Sequence, residues 1–269
     1  MREIRNLLVA LAGTASLLSS GAAASDVPLA DRVSALVASY PETIARAEAG
    51  MLIFRDGSPP LRIDDGRKRS HSAMLEEGDI EDSLSQIYPA GGCETRPERD
   101  FDPGRIRSDP LMRRLYGNSA KNVSESLVPV SWFGQTVQVT RRHGVDRALA
   151  AVRDELATDP ALKKYLAPSA GTFNWRKVSG QQNLSVHSFG AAIDLNTRYA
   201  DYWLWSGGKP GNVPNTRSRY PMKIVEVFER HGFIWGGRWY HYDTMHFEYR
   251  PELIRIGALA GVSACSDRR

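Results

Sequence analysis

Cysteine is nearly absent: only Cys93 and Cys265 occur in 269 residues, far apart. That excludes a thiolate-rich structural zinc site, which closes around four ligands. Long apolar runs are missing too. The stretch Leu7 to Leu18 is about twelve residues, well short of the roughly 20 that cross a bilayer, and no other stretch could span one. Concentrated Lys/Arg tracts are lacking, which excludes nucleic acid as a partner. There is no internal repeat or low-complexity tract, so solenoid and fibrous architectures fall away.

What is present begins with an export signature. Arg2 and Arg5 precede the apolar run, and Ala22-Ala23-Ala24 ends it with small residues, predicting a signal peptide over 1–24. The protein is then exported, periplasmic or secreted, with no membrane anchor after cleavage. Removing that segment takes away two of 35 basic and one of 31 acidic side chains and leaves a net charge of +3. So small a charge favours loose attraction to an anionic polymer such as a cell wall. In an exported chain the two cysteines form an even pair, predicting a Cys93–Cys265 disulfide that ties the N-terminal region to the tail.

The chemistry concentrates in two stretches. In Ser185-Val186-His187-Ser188-Phe189-Gly190-Ala191-Ala192-Ile193-Asp194-Leu195-Asn196, alternation from Ala192 places Asp194 on one face and Ile193 and Leu195 on the other. In Asp243-Thr244-Met245-His246-Phe247-Glu248, His246 and Glu248 share the face opposite Met245 and Phe247. If the strands are neighbours, Asp194 and His246 project from one surface and His187 swings over them from before the Gly190 turn. Two imidazoles and one carboxylate are the ligand set of a catalytic zinc ion, with the fourth position left to water. Asp243, three residues before His246, is the candidate general base. Glu248 is expected to hydrogen-bond a ligand histidine, and His241 is a candidate for a second-layer or substrate role. His71 reads as a surface residue, and His143 and His231 as caps or surface residues.

The strings SVHSFGAAIDLN and DTMHFE, with Trp235-Gly236-Gly237 before the second, resemble the D-alanyl-D-alanine carboxypeptidase family of zinc metallopeptidases, which cut peptidoglycan stem peptides. The resemblance covers roughly residues 120 to 255. It implies His187, Asp194 and His246 as zinc ligands, Asp243 as the base, and Arg176 as the arginine that contacts the substrate carboxylate or carbonyl. It also implies a hedgehog/DD-peptidase-like fold. Aspartate at the base position also occurs in related L-alanyl-D-glutamate endopeptidases, so that bond is the alternative target. A non-catalytic, zinc-stabilised wall-binding protein is the alternative from another class. The facial set of non-haem iron oxygenases also uses two histidines and a carboxylate, but it places histidine and acid one residue apart on a strand, unlike His187 and Asp194.

The remaining pattern predicts an α+β chain with a small antiparallel sheet carrying the zinc cleft, packed by helices. An N-terminal accessory region covers 25–125 and the zinc peptidase catalytic domain 126–269. Expected elements are a helix over 29–49 kinked near Pro41, a strand at 51–54, an irregular stretch 76–109, and a hairpin over 128–140. A helix with the stripe Val145, Leu149, Val152 and Leu156 follows, then a strand Thr172–Lys177 bearing Arg176. The loop 200–220 leads to a helix opened by Pro221, a strand pair over 233–242, and a closing helix from Pro251.

Overall fold

The computed structural model describes residues 27–178 and 182–265; the expected signal peptide lies outside the described residues. Val33, Leu36 and Tyr40 line the buried side of α1 (Leu29–Ser39). Pro41 ends this helix where a kink was expected, because a proline ring clashes with the preceding turn and offers no N–H. The chain continues as β1 (Ile44–Glu48), antiparallel to β2 (Met51–Phe54). Ala49 and Gly50 join them at φ 48° and 75°, the left-handed pair that a two-residue hairpin turn needs. β3 (Leu61–Arg62) completes this sheet.

α2 (His71–Glu77) leads into the stretch expected to be irregular, which holds one short helix, α3 (Ile80–Ser83), opened by a capping box between Asp79 and Asp82, and is otherwise turns and coil up to Ser108. α4 (Asp109–Tyr116) and α5 (Ala120–Ser124) lead to the hairpin β4 (Leu127–Trp132) and β5 (Gln135–Thr140). α6 (Val145–Leu156) buries Val145, Leu149, Val152 and Leu156 as their spacing predicts. α7 (Lys163–Leu166), β6 (Ala192–Asp194), α8 (Met222–Arg230), β7 (Phe233–Trp235), β8 (His246–Tyr249) and α9 (Pro251–Leu259) follow. Helices and small antiparallel sheets thus mix in the α+β manner.

The third sheet, in the order β6-β8-β7, is antiparallel throughout. Its register pairs Asp194 with His246, Ile193 with Phe247 and Ala192 with Glu248. Ile193 and Phe247 face α8, where Phe247 stacks on Phe228 at a centroid distance of 4.0 Å. Both rings are fully buried, and removing one such side chain from water contributes roughly 1.5–3 kcal/mol. Because β8 side chains alternate, fastening Phe247 to the helix turns His246 and Glu248 to the other face.

Two expected strands do not form. Thr172–Lys177 is extended but makes only isolated bridges, Gly171 with Asp194 and Lys177 with Leu184. Thr172, at the start of this stretch, is buried, and its hydroxyl donates to the Gln138 carbonyl at 2.6 Å. The predicted strand pair over 233–242 is reduced to β7, since Gly236–Arg238 is a 3-10 turn. Arg238 pulls the chain out of the sheet: its fully buried guanidinium donates from Nε to Glu229 at 2.7 Å and from Nη1 to the Cys93 carbonyl at 2.9 Å.

The N-terminal elements share one continuous core with the third sheet, running from Val33 through Tyr116 and Phe189 to Ile256. The Cys93–Cys265 disulfide is formed, with Cα atoms 5.2 Å apart. His143 is half-buried: its Nε2 meets the Leu115 carbonyl at 2.9 Å, and its ring meets Tyr40 and Tyr116 edge-on. Burial lowers its pKa. His231 ends α8 and pairs with Glu155 of α6 at 3.0 Å.

Candidate metal centre

The 3-10 turn Val186–Phe189 carries His187, and Gly190 ends it at φ 65°. A Cβ on Gly190 would come within 2.7 Å of Leu127 and 3.0 Å of the Thr140 nitrogen, so only glycine lets the turn lie against β5. This brings His187 over the strand pair that presents Asp194 and His246. His187 Nε2 lies 3.1 Å from His246 Nδ1 and 3.2 Å from Asp194 Oδ1, and His246 Nδ1 lies 3.0 Å from the same oxygen. The three residues named from the sequence therefore converge on one point.

The outer faces of both rings decide what the inner faces can do. His187 Nδ1–H donates to the Thr172 carbonyl at 2.6 Å, and His246 Nε2–H donates to Glu248 Oε2 at 2.9 Å. Each ring then offers an unprotonated nitrogen to the other, 3.1 Å away. Two lone pairs held face to face beside a carboxylate repel unless a cation lies between them, and this donor set suits a divalent metal of the zinc type. Without a metal a proton fills that role. Burial alone would depress the His246 pKa, but hydrogen bonds to Asp194 and Glu248 outweigh it and raise it to about 10. Burial likewise pushes Asp194 up, and the charge and hydrogen bonds of His187 and His246 hold it far below the usual carboxylate range.

Glu248 is the outer partner of His246, as its face of the strand predicts. It belongs to a buried series that the sequence did not reveal: Arg250 Nη1 donates to Glu248 at 3.2 Å, Arg250 Nε donates to Glu252 at 2.5 Å, and the Tyr40 hydroxyl donates to Glu252 at 2.7 Å. Glu248→Gln removes the charge that fixes the His246 tautomer. Zinc affinity is expected to fall by about 10- to 100-fold, measured by competition with a chromophoric chelator; unchanged affinity would discard this role for Glu248.

Asp243 lines the same small polar cleft, of about 90 Å³, with Arg176, Tyr202 and Trp239. Its Oδ1 is buried and has no hydrogen-bond partner among the described residues. Burial first, and then the negative charge of Asp194, push its pKa up to about 6. Tyr202 reaches the cleft from the 200–220 loop, which bridges to Asp243. Arg176 is exposed on the cleft rim; its Nη1 makes a 3.4 Å contact with the Lys177 carbonyl, while its backbone N–H is held by Ser188 Oγ at 2.9 Å. Arg105 and Arg107 also line the cleft. The sequence marks Asp102-Pro103-Gly104-Arg105 only as a turn, and nothing local shows what that turn faces.

His241 does not join the metal set. It is buried, and its Nδ1–H donates to Asp102 Oδ2 at 2.7 Å while its backbone N–H donates to Oδ1 at 2.9 Å. His71, expected on the surface, is largely buried instead, with Nε2 2.9 Å from Asp102 Oδ2 and its ring stacked on His241 at 5.7 Å. Both oxygens of the fully buried Asp102 are thus engaged, and the trio fastens α2 to the chain just before Asp243. Burial pushes the Asp102 pKa up, but hydrogen bonds from His241 and His71 prevail and hold it well below its ordinary value of 3.8. With the folded-state value depressed, this stabilisation is complete above the ordinary value and fades as pH falls below it. Asp102→Asn is expected to cost about 1–3 kcal/mol at neutral pH and to flatten the loss of stability below pH ~4. Urea midpoints measured across that range check it, and an unchanged acid limb would count against the assignment.

No curated protein and no solved structure matches the chain. Residues 179–249, which contain His187, Asp194, Asp243 and His246, match the model of the D-alanyl-D-alanine carboxypeptidase family.

Proposed function

We propose that the protein is an exported zinc metallopeptidase that hydrolyses a peptide bond in peptidoglycan stem peptides, acting as a D-alanyl-D-alanine carboxypeptidase. The observation that carries this reading is the pair of imidazole nitrogens, each freed for a metal by its outer hydrogen bond and aimed at the same point as Asp194, with Asp243 in the same cleft. His187, Asp194 and His246 would hold zinc, which supplies Lewis-acid polarisation and an acidified water at neutral pH. A site kept only for stability has no use for the Asp243 carboxylate, whose buried Oδ1 has no hydrogen-bond partner among the described residues.

Asp243 accepts a proton from the attacking water and hands it to the leaving amine. Its raised pKa keeps it near the range where a carboxylate both takes and returns a proton. Arg176, on the cleft rim, offers a permanent positive charge to the carbonyl oxygen as it becomes negative. The carboxypeptidase bond is favoured over the L-alanyl-D-glutamate bond by charge. Arg105, Arg107 and Arg176 face Asp194, Asp243 and Glu248 across the cleft, so a bound dication leaves the wall net positive. That suits a substrate with a free carboxylate beside the scissile bond.

Zinc-loaded mature protein incubated with pentapeptide muropeptides should release one terminal alanine, seen by mass spectrometry, with no release by Asp243→Ala. A cut between L-alanine and D-glutamate would replace the assigned bond while keeping the machinery. No cleavage with zinc bound would sink the peptidase reading.

A further inference from the structure

One wall of the cleft comes from outside the family-matched segment. The turn Asp102–Arg107 of the N-terminal region docks on the chain that leads into Asp243. The Tyr240 N–H donates to the Phe101 carbonyl at 2.6 Å, and Asp102 clasps His241 as described. Gly104 lies so close beneath Trp239 that a Cβ there would stand 2.1 Å from the indole ring. The turn is therefore seated by close backbone approach, and it carries two arginines to the cleft.

Those arginines have different surroundings. Arg107 is buried, with Nη1 donating to the Gly104 carbonyl at 2.8 Å and Nη2 to the Leu184 carbonyl at 3.0 Å; its guanidinium holds backbone. Arg105 is fixed from one side only. Its Nε donates to the His241 carbonyl at 2.9 Å, and its guanidinium carbon lies 5.2 Å over the Trp239 ring. Its Nη2 is buried, and among the described residues nothing accepts from it. A buried charged donor without an acceptor costs more than a neutral one, and Arg105 lines the cleft that holds the metal ligands and Asp243. The orphaned donor is thus oriented before any ligand arrives, which spares the ordering cost that a free arginine would incur.

Resting on the peptidase reading above, we infer that Arg105 is a substrate-binding residue that takes the free C-terminal carboxylate of the peptide. A carboxylate is the acceptor that matches a planar, permanently charged guanidinium, and the net positive metal-loaded cleft favours an anion there. Arg105 and Arg176 then divide the work: Arg105 holds the chain terminus and Arg176 the scissile carbonyl. The N-terminal region is in this way part of the specificity apparatus and not only a support.

The test compares a peptide ending in D-alanyl-D-alanine with the same peptide as its C-terminal amide, using zinc-loaded mature protein. Wild type should prefer the acid. Arg105→Ala should lose about 10- to 100-fold in kcat/KM on the acid, mostly through KM, with little change on the amide, so that the acid-over-amide ratio collapses. Arg105→Lys should retain part of the ratio. Zinc content and thermal midpoints of both variants exclude a folding defect, and if the alanine variant does not fold, the ratio in the lysine variant decides. A wild-type ratio in a folded Arg105 variant overturns the inference. Calorimetric binding of both peptides to zinc-loaded Asp243→Asn separates the two readings. Arg105-dependent preference for the acid without turnover by wild type would keep the carboxylate site and remove the peptidase, whereas turnover with an Arg105-independent ratio would do the reverse.

Discussion

Asp243→Asn is expected to reduce kcat by about 10²- to 10⁴-fold, the range general-base catalysis supplies, while zinc content stays at the wild-type level. The amide is nearly isosteric with the carboxylate but cannot accept the proton. The Asp243 Oδ1 has no hydrogen-bond partner among the described residues, so little structural hydrogen bonding is lost there. Zinc should remain if, as proposed, its ligand atoms belong to His187, Asp194 and His246, which meet within 3.2 Å of one another. Turnover and metal analysis on the same sample decide the matter. A variant that keeps full activity would show that Asp243 is not the base, and a variant that loses its zinc would show that Asp243 is a ligand.

The largest stability effect is expected at Arg250. Its side chain is the only cation hydrogen-bonded to both Glu248 and Glu252 among the described residues, and all three are almost completely buried. Burial works against the charged guanidinium, yet Glu252 and Glu248 raise its pKa above the ordinary arginine value. Arg250→Ala leaves two carboxylates uncompensated in the interior, and breaking a buried pair in this way costs about 3–5 kcal/mol. The damage should reach the metal site, because Glu248 would then take up a proton more readily and lose its hold on His246. Arg250→Lys keeps the charge but not the planar fork, and should fall between wild type and alanine. Urea unfolding checks this through the midpoint at constant slope; a loss under about 1 kcal/mol would mean that the carboxylates have found other partners.

Both results depend on residues that the sequence shows unequally. Asp194, His246 and Glu248 are legible because a strand alternates with period two. Once Ile193 and Phe247 are assigned to the apolar side, the polar set has one place to go; that the two strands are neighbours and pair Asp194 with His246 is seen only in the structure. His187 is legible through its spacing before Gly190. Arg250 and Glu252 look like ordinary surface charges at a helix start, and only the packing of Tyr40 against α9 shows them enclosed.

Local pattern therefore determined the amphipathic helices, the hairpin over 128–140, the α+β mixture and the residues able to bind a metal, since each depends on neighbours within a few positions, whereas the hairpin at Ala49-Gly50 stands where a helix was expected. Tertiary structure decided the rest. It replaced a strand by the turn at Gly236 around buried Arg238, and paired His71 and His241 with Asp102. It also carried Arg105 across more than a hundred residues of chain to the Asp243 cleft. These outcomes turn on which buried charges find partners from distant segments. That balance is settled by the whole interior at once, because an ion's burial is costly unless its counter-ion arrives from elsewhere in the fold.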